Sequence, residues 1–212
     1  ALLGELLTPM QVDDAFAGGQ AGLAQAGVLY MTTLANRLAD AIEDHALDRG
    51  AQRVVVLNAP DVTRTPRFLA VLAGVALQTN QATADAVRDL ARMWVQAFNT
   101  QLNSRFSGNN RVAMVDFYTT LNQWLSNPGT YGLTNTTTPA CPITGSSGGL
   151  PTYTISACTA TLLSATTPPM GATGGTNWWQ TYVFSDNFHG TPRTNQLMGD
   201  LVNSVLANRG WN

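Results

Sequence analysis

The 212-residue sequence predicts an α/β fold built around a parallel sheet, and three observations carry that prediction. Arg53-Val54-Val55-Val56-Leu57 is a short β-branched run bounded by turn residues, the signature of a strand buried on both faces of a parallel sheet, and Arg111-Val112-Ala113-Met114-Val115-Asp116-Phe117 supplies a second strand. Each is followed by a segment with helical periodicity, and a strand–helix–strand–helix order favours parallel pairing with right-handed crossovers. The length, with 44% hydrophobic residues, is enough for the core of one domain, with room for a long insertion.

In chain order, residues 1–22 start apolar (Leu2, Leu3, Leu6, Leu7) and run into Gly18, Gly19 and Gly22, which reads as a connection joined in its middle. The first residue is Ala1, which points to a processed product and excludes the N-terminal Ser, Thr or Cys of an N-terminal nucleophile hydrolase. From Leu23 a helical pattern sets in, with Met31, Leu34, Leu38 and Ile42 on one face and a stop at Arg49-Gly50. His45 falls in its polar last turns, where a solvated residue suits the helix dipole. After the first strand, Asn58-Ala59-Pro60-Asp61 ends the run. Loops at the carboxyl ends of such strands line ligand crevices, so Asn58 and Asp61 are either site-proximal or turn formers.

A second long helix is expected from about Thr83 to Phe106, with Val87, Leu90, Trp94, Phe98 and Leu102 on its core face and Gly108 beyond its end. A short helix follows over residues 120–126, stopped by Asn127-Pro128-Gly129. Residues 128–177 then break the rhythm. Rich in Thr, Gly, Ser and Pro, they read as a long irregular excursion. They hold the only cysteines, Cys141 and Cys158, with no nearby His to complete a metal site; a disulfide fits, two free buried thiols being the alternative. Trp178 and Trp179 suit core packing or the lining of an acyl pocket, and Tyr182, Val183 and Phe184 a last strand or extended lead.

That lead opens onto Asp186-Asn187-Phe188-His189-Gly190-Thr191-Pro192. A His shuttles protons when a neighbouring group fixes its tautomer and supports its charge, and Asp186 stands three residues before His189. Thr191 is a good N-cap and Pro192 a good first helical residue, with Leu197, Leu201 and Val205 recurring on one face beyond them. The bland reading of Asp-x-x-His is a local cap.

Charge and composition exclude other classes. The net charge is -2, the pI near 5.5, and charged residues make up only 11%, which leaves no electrostatic footprint for nucleic acid. All eleven basic residues are Arg. No apolar run approaches the roughly 20 residues that span a bilayer, and no signal-peptide pattern opens the chain. Gly145-Ser146-Ser147-Gly148-Gly149 matches the G-x-S-x-G nucleophile elbow in the order Ser147, Asp186, His189, but the flanking strand and helix that an elbow needs are not predicted there.

Several blocks in order carry a resemblance: the strand and loop from Val54 to Pro66, Phe98-Asn99-Thr100-Gln101-Leu102, Val112-Ala113-Met114-Val115-Asp116, Asn127-Pro128-Gly129-Thr130-Tyr131-Gly132-Leu133, and Asp186-Asn187-Phe188-His189-Gly190-Thr191. Together they resemble the C-terminal two thirds of a GDSL, or SGNH, lipase or esterase, particularly the catalytic domains of bacterial autotransporter esterases. The resemblance implies a three-layer α/β/α sandwich with a mainly parallel sheet, incomplete in this chain. Residues 1–212 would be the C-terminal portion of one domain, with 128–177 its insertion. It implies a Ser-His-Asp triad, free of metal and cofactor, in which Asp186 and His189 are catalytic. Gly190 stands where the family usually has Pro. The Gly-Asp-Ser nucleophile block and the Gly and Asn oxyanion blocks are not in this sequence. A complementary N-terminal chain of the same precursor would then supply them, in a secreted, periplasmic or cell-surface protein acting on lipid, acylated-sugar or polyester esters. The alternatives are a non-catalytic binding domain with an esterase-like fold and an α/β-hydrolase using Ser147.

Overall fold

Val54 opposite Val112 and Leu57 opposite Val115 set the register of a parallel pair, β1 (Val54–Leu57) and β2 (Val112–Val115), in the computed structural model, which describes residues 3–211. The two β-branched runs thus pair as expected, joined through helices α3 (Pro66–Gln78) and α4 (Gln81–Phe106). The chain divides into two compact units. The first takes residues up to 60, 87–117 and those from 205 on; the second takes 61–86 and 118–204.

In the first unit, α2 (Gly19–Ile42) and α4 supply the core that covers one face of β1. Ala35 and Ala39, one turn apart on α2, are fully buried and small enough to let the helix close on Val56, Phe98, Leu102 and Phe106. Each large side chain so buried stabilises the unit by about 1.5–3 kcal/mol. The expectation that β1 is buried on both faces is corrected: Val55 and Leu57 are 36% and 37% exposed. Only the Val54 and Val56 face joins the cluster, and β1 pairs with β2 alone among the described residues. Asn99 on α4 holds the loop after β1, donating from Nδ2 to Ala59 O and accepting from Ala59 N–H, both at 2.8 Å.

Residues before Leu23, expected as a connection, instead contain α1 (Pro9–Ala17) and the first turn of α2; Ala1 and Leu2 lie outside the described residues. Thr8 starts α1 by a capping box: its Oγ1 accepts from Gln11 N–H at 3.3 Å while Gln11 Oε1 accepts from Thr8 N–H at 2.9 Å, with Pro9 following. At the other end, α2 runs into a π-turn over Glu43–Leu47, on which His45 is exposed.

Gly27 of α2 makes a packing prediction. Trp94 Nε1 donates to Ala24 O at 3.0 Å, which holds the indole so close that a Cβ on Gly27 would overlap its ring. Alanine gains about 0.5–1 kcal/mol in a helix interior, but forcing the ring aside costs about 1–3 kcal/mol. Gly27→Ala is therefore expected to lower the melting temperature by a few degrees in a thermal scan, against the usual sign of Gly→Ala in a helix.

The second unit holds α5 (Phe117–Ser126) beyond its first residue, an ordered insertion, and most of α7 (Pro192–Asn208). Residues 128–177, expected as irregular, include a hairpin of β3 (Gly145–Ser147) and β4 (Leu150–Thr152), and helix α6 (Ala160–Ala165), which Thr159 caps. The Gly148-Gly149 turn joins the hairpin with φ of 58° and 77°, the left-handed pair that a tight two-residue hairpin requires. Cys141 and Cys158 form the disulfide, their Cα atoms 5.1 Å apart. Trp178, Trp179, Leu163, Ala140 and Tyr182 make the local core. Both indoles are satisfied within it, Trp178 Nε1 donating to Leu163 O at 3.2 Å and Trp179 Nε1 to Ser164 Oγ at 3.0 Å. No described helix is long and apolar enough to cross a membrane.

Candidate active site

The Asp186 to His189 turn sits in a backbone frame within the second unit. Phe184 bridges Gly190 in antiparallel fashion, Ser185 N–H donates to His189 O at 2.7 Å, and Thr191 N–H to Val183 O at 3.0 Å. On the far side, Ala140 N–H donates to Phe184 O at 2.9 Å and Cys141 N–H to Ser185 O at 2.8 Å, so the disulfide is fastened one residue from Asp186. Two buried threonines close the base: Thr191 Oγ1 donates to Tyr182 O and Thr194 Oγ1 to Val183 O, each at 2.7 Å. Thr191 also caps α7 by accepting from Thr194 N–H at 3.3 Å, as its position before Pro192 predicts. Asn187 Nδ2 donates to Pro151 O at 2.9 Å, which ties the hairpin of the insertion to the same turn.

Within that frame Asp186 folds back on its own turn. Its Oδ1 accepts from the Phe188 and His189 N–H groups, both at 2.9 Å, and its Oδ2 lies 2.8 Å from His189 Nδ1. A carboxylate only accepts, so Nδ1 carries the hydrogen and the neutral ring leaves its lone pair on Nε2. The imidazole is 79% exposed while the Asp186 side chain is 28% exposed. Burial pushes the Asp186 carboxyl upward, but the two backbone donors, then the hydrogen bond and charge of His189, outweigh it and hold the group below its ordinary value. Burial, then the charge of Asp186, pushes the neighbouring Tyr153 phenol above its ordinary value. The arrangement can orient an imidazole as a base and stabilise its protonated form. The expectation of a local cap is met, and the same carboxylate also holds the imidazole.

The lowered Asp186 value carries a stability signature. A group held below its unfolded value contributes stability that is fully present above the ordinary carboxylate range and is lost as pH falls through the folded value. Asp186→Asn keeps an acceptor for the backbone donors but loses the charge. Its melting temperature is expected to lie a few degrees below that of the parent at neutral pH, with the gap shrinking below about pH 4. Paired thermal melts from pH 3 to 7 check this; a gap that does not depend on pH would contradict it.

Beside the turn lies a cavity of about 360 Å³, bordered by Ser185, Asp186 and Gly190 on one side and by Leu163, Trp179 and the disulfide on the other. Trp179 meets the expectation of core packing, being 7% exposed, and its edge also lines this cavity. Ala160 and Asn195, which also line it, carried no sequence signal, because small and amide side chains become cavity walls only through the fold.

Of the other expected residues, Asn58 belongs to the first unit and Asp61 to the second. Asn58 Nδ2 donates to Asp116 Oδ1 at 2.9 Å, linking the ends of β1 and β2. Asp61, 1% exposed, caps a 3-10 turn by accepting from Thr63 N–H at 3.2 Å and from Thr63 Oγ1 at 2.5 Å. Ser147 ends an exposed hairpin strand and is followed by a turn and a second strand, so the strand-to-helix geometry of a nucleophile elbow is absent around it. Among the described residues no three His, Cys, Asp or Glu side chains gather as a metal site. Compared with known proteins, residues 14–202 match the model of the GDSL-like lipase/acylhydrolase family. No curated protein matches the chain.

Proposed function

The chain belongs to the GDSL-like lipase/acylhydrolase family, and from that premise we propose that it supplies the acid–base half of a secreted carboxylic ester hydrolase. The observation that carries this reading is the Asp186–His189 pair, with Nδ1 on the carboxylate at 2.8 Å and the imidazole 79% exposed. His189 Nε2 takes the hydroxyl proton of a serine as that oxygen attacks the ester carbonyl. Asp186 holds the tautomer and supports the imidazolium. As the tetrahedral adduct collapses, the Nε2 proton passes to the leaving oxygen, the alcohol departs, and an acyl-enzyme remains. Water then repeats the cycle, releasing the carboxylic acid.

The sequence holds no Gly-Asp-Ser block, and Ser147 lies in a hairpin. We therefore assign the nucleophile and oxyanion donors to a complementary N-terminal segment of the same precursor, completing one three-layer α/β/α domain of the autotransporter-esterase kind. The partly exposed Val55 and Leu57, and a β1 whose only strand partner among the described residues is β2, support a further strand there. The disulfide fits a secreted, periplasmic or cell-surface location. Substrates are esters of lipids, acylated sugars or polyesters.

A serine-reactive phosphonate applied to the intact preparation, followed by denaturing mass spectrometry, tests the assignment. Label on a second, smaller polypeptide is the expected result. Label on Ser147, or no label with no ester hydrolysis, would overturn it.

A further inference from the structure

We propose that Asn187 is a positioning residue, anchoring the apex of the Asp186–His189 turn to β4 so that the imidazole stands in one place toward the attacking serine; this rests on the ester-hydrolysis reading above. The pair itself is closed on its own turn. Asp186 accepts from the Phe188 and His189 N–H groups and holds the ring, and the ring, 79% exposed, hydrogen-bonds to Asp186 alone among the described residues. These contacts orient the imidazole relative to the turn. The placement of the turn in the molecule falls to others.

The stem is placed by the backbone bonds of residues 183–185 and 189–191. At the apex Phe188 is 56% exposed and its N–H donates to Asp186, so the bonds that leave the apex are those of half-buried Asn187. There are two. Its Nδ2 donates to Pro151 O of β4 at 2.9 Å, and its carbonyl accepts from Arg67 N–H at 3.2 Å. Arg67 is the second residue of α3, so its N–H has no partner within the helix; Thr65 Oγ1 accepts the next one, from Phe68, and Asn187 O accepts this one. The carbonyl is available whatever residue stands at 187. The bond to β4 needs a side-chain donor there. Beyond Pro151 the chain keeps to the turn, since Thr154 and Ile155 border the same cavity as Asp186.

Placement matters to this chemistry because Nε2 must come within hydrogen-bond reach of the serine hydroxyl, about 2.6–3.2 Å, and a misplacement near 1 Å can cost about 10²-fold in rate. Without the Asn187 amide the apex keeps only its bond to α3. The exposed ring then shifts, and Asp186 travels with it.

The test uses the protein as isolated with 4-nitrophenyl butyrate. In Asn187→Ala and Asn187→Leu, kcat is expected to fall about 10²-fold, with KM little changed and the melting temperature within a few degrees of the parent; two side chains of different size guard against the loss of one variant to misfolding. Two NMR readouts separate placement from pairing. The low-field Nδ1–H proton of His189 should persist, because the contact with Asp186 is local, while 15N relaxation should show the Phe188 and His189 amides more mobile. The proposal is overturned if a folded variant keeps its kcat, if the Nδ1–H signal is lost along with the rate, or if the rate falls with those amides as ordered as in the parent. A parent that hydrolyses no ester, yet whose apex loosens in both variants with the Nδ1–H proton retained, would support the anchor and overturn the ester-hydrolysis reading.

Discussion

Replacing His189 by Ala is expected to reduce kcat for ester hydrolysis by about 10³-fold or more, because in the proposed mechanism the base that takes the serine proton and the acid that protonates the leaving alcohol are one ring. The fold should be nearly indifferent. The imidazole is 79% exposed, and the contacts that shape the turn are made by the His189 backbone, whose N–H donates to Asp186 and whose carbonyl accepts from Ser185. A melting temperature within a few degrees of the parent, together with a lost rate, is thus the expected combination. The Asp186 and His189 variants should not be additive: once the ring is gone, removing the carboxylate that orients it has little left to disturb. His189→Ala combined with Asp186→Asn is therefore expected to be about as slow as His189→Ala alone. Retention of most of the rate in His189→Ala, measured in steady-state assays across several ester substrates, would remove the base from the mechanism.

The contact between Asp186 and His189 was legible in the sequence because its determinants are local. Asp186 and His189 stand three positions apart, and a turn of that length brings carboxylate and ring together with few other demands on the chain. The same holds for Thr191 before Pro192 and for the two short apolar runs of β1 and β2, of four residues each. Features set by distant contacts were not legible. The burial of β1 depends on what covers its second face, which no periodicity in Val54–Leu57 encodes. Helix α1 could have been found from Thr8-Pro9 and Gln11, a capping box with Pro at the first position, but the glycines after it drew the reading toward a loop. Helix α3 carries the same signal in Thr65-Pro66, with Thr65 Oγ1 accepting from Phe68 N–H at 3.3 Å. In the insertion, composition misled: Thr, Gly and Pro are poor in local preference, yet a disulfide, two tryptophans and a Gly-Gly turn order the segment from outside.

Removing that disulfide by Cys141→Ala with Cys158→Ala is expected to destabilise the protein by about 3 kcal/mol on the chain-entropy account, lowering the melting temperature by roughly 6–12 °C for a chain of this size. The two cysteines are 17 positions apart, which sets that magnitude. The loss should be uneven. Cys141 N–H donates to Ser185 O and Ala140 N–H to Phe184 O, so the strand that carries Asp186 leans on the segment that the disulfide fastens. In the first unit, fully buried Val112 of β2 packs in one cluster with residues of α2 and α4 instead. In native-state hydrogen exchange the amides of Ala140 and Cys141 should lose protection first in the double variant, ahead of those of β2, because local opening follows the weakest attachment. Equal acceleration in both places would mean that the cross-link acts only through the unfolded chain. Acceleration confined to the insertion would make the disulfide part of what holds the Asp186 turn in place, and would make the Asp186–His189 contact depend on an oxidised cross-link by its geometry as well as by its stability.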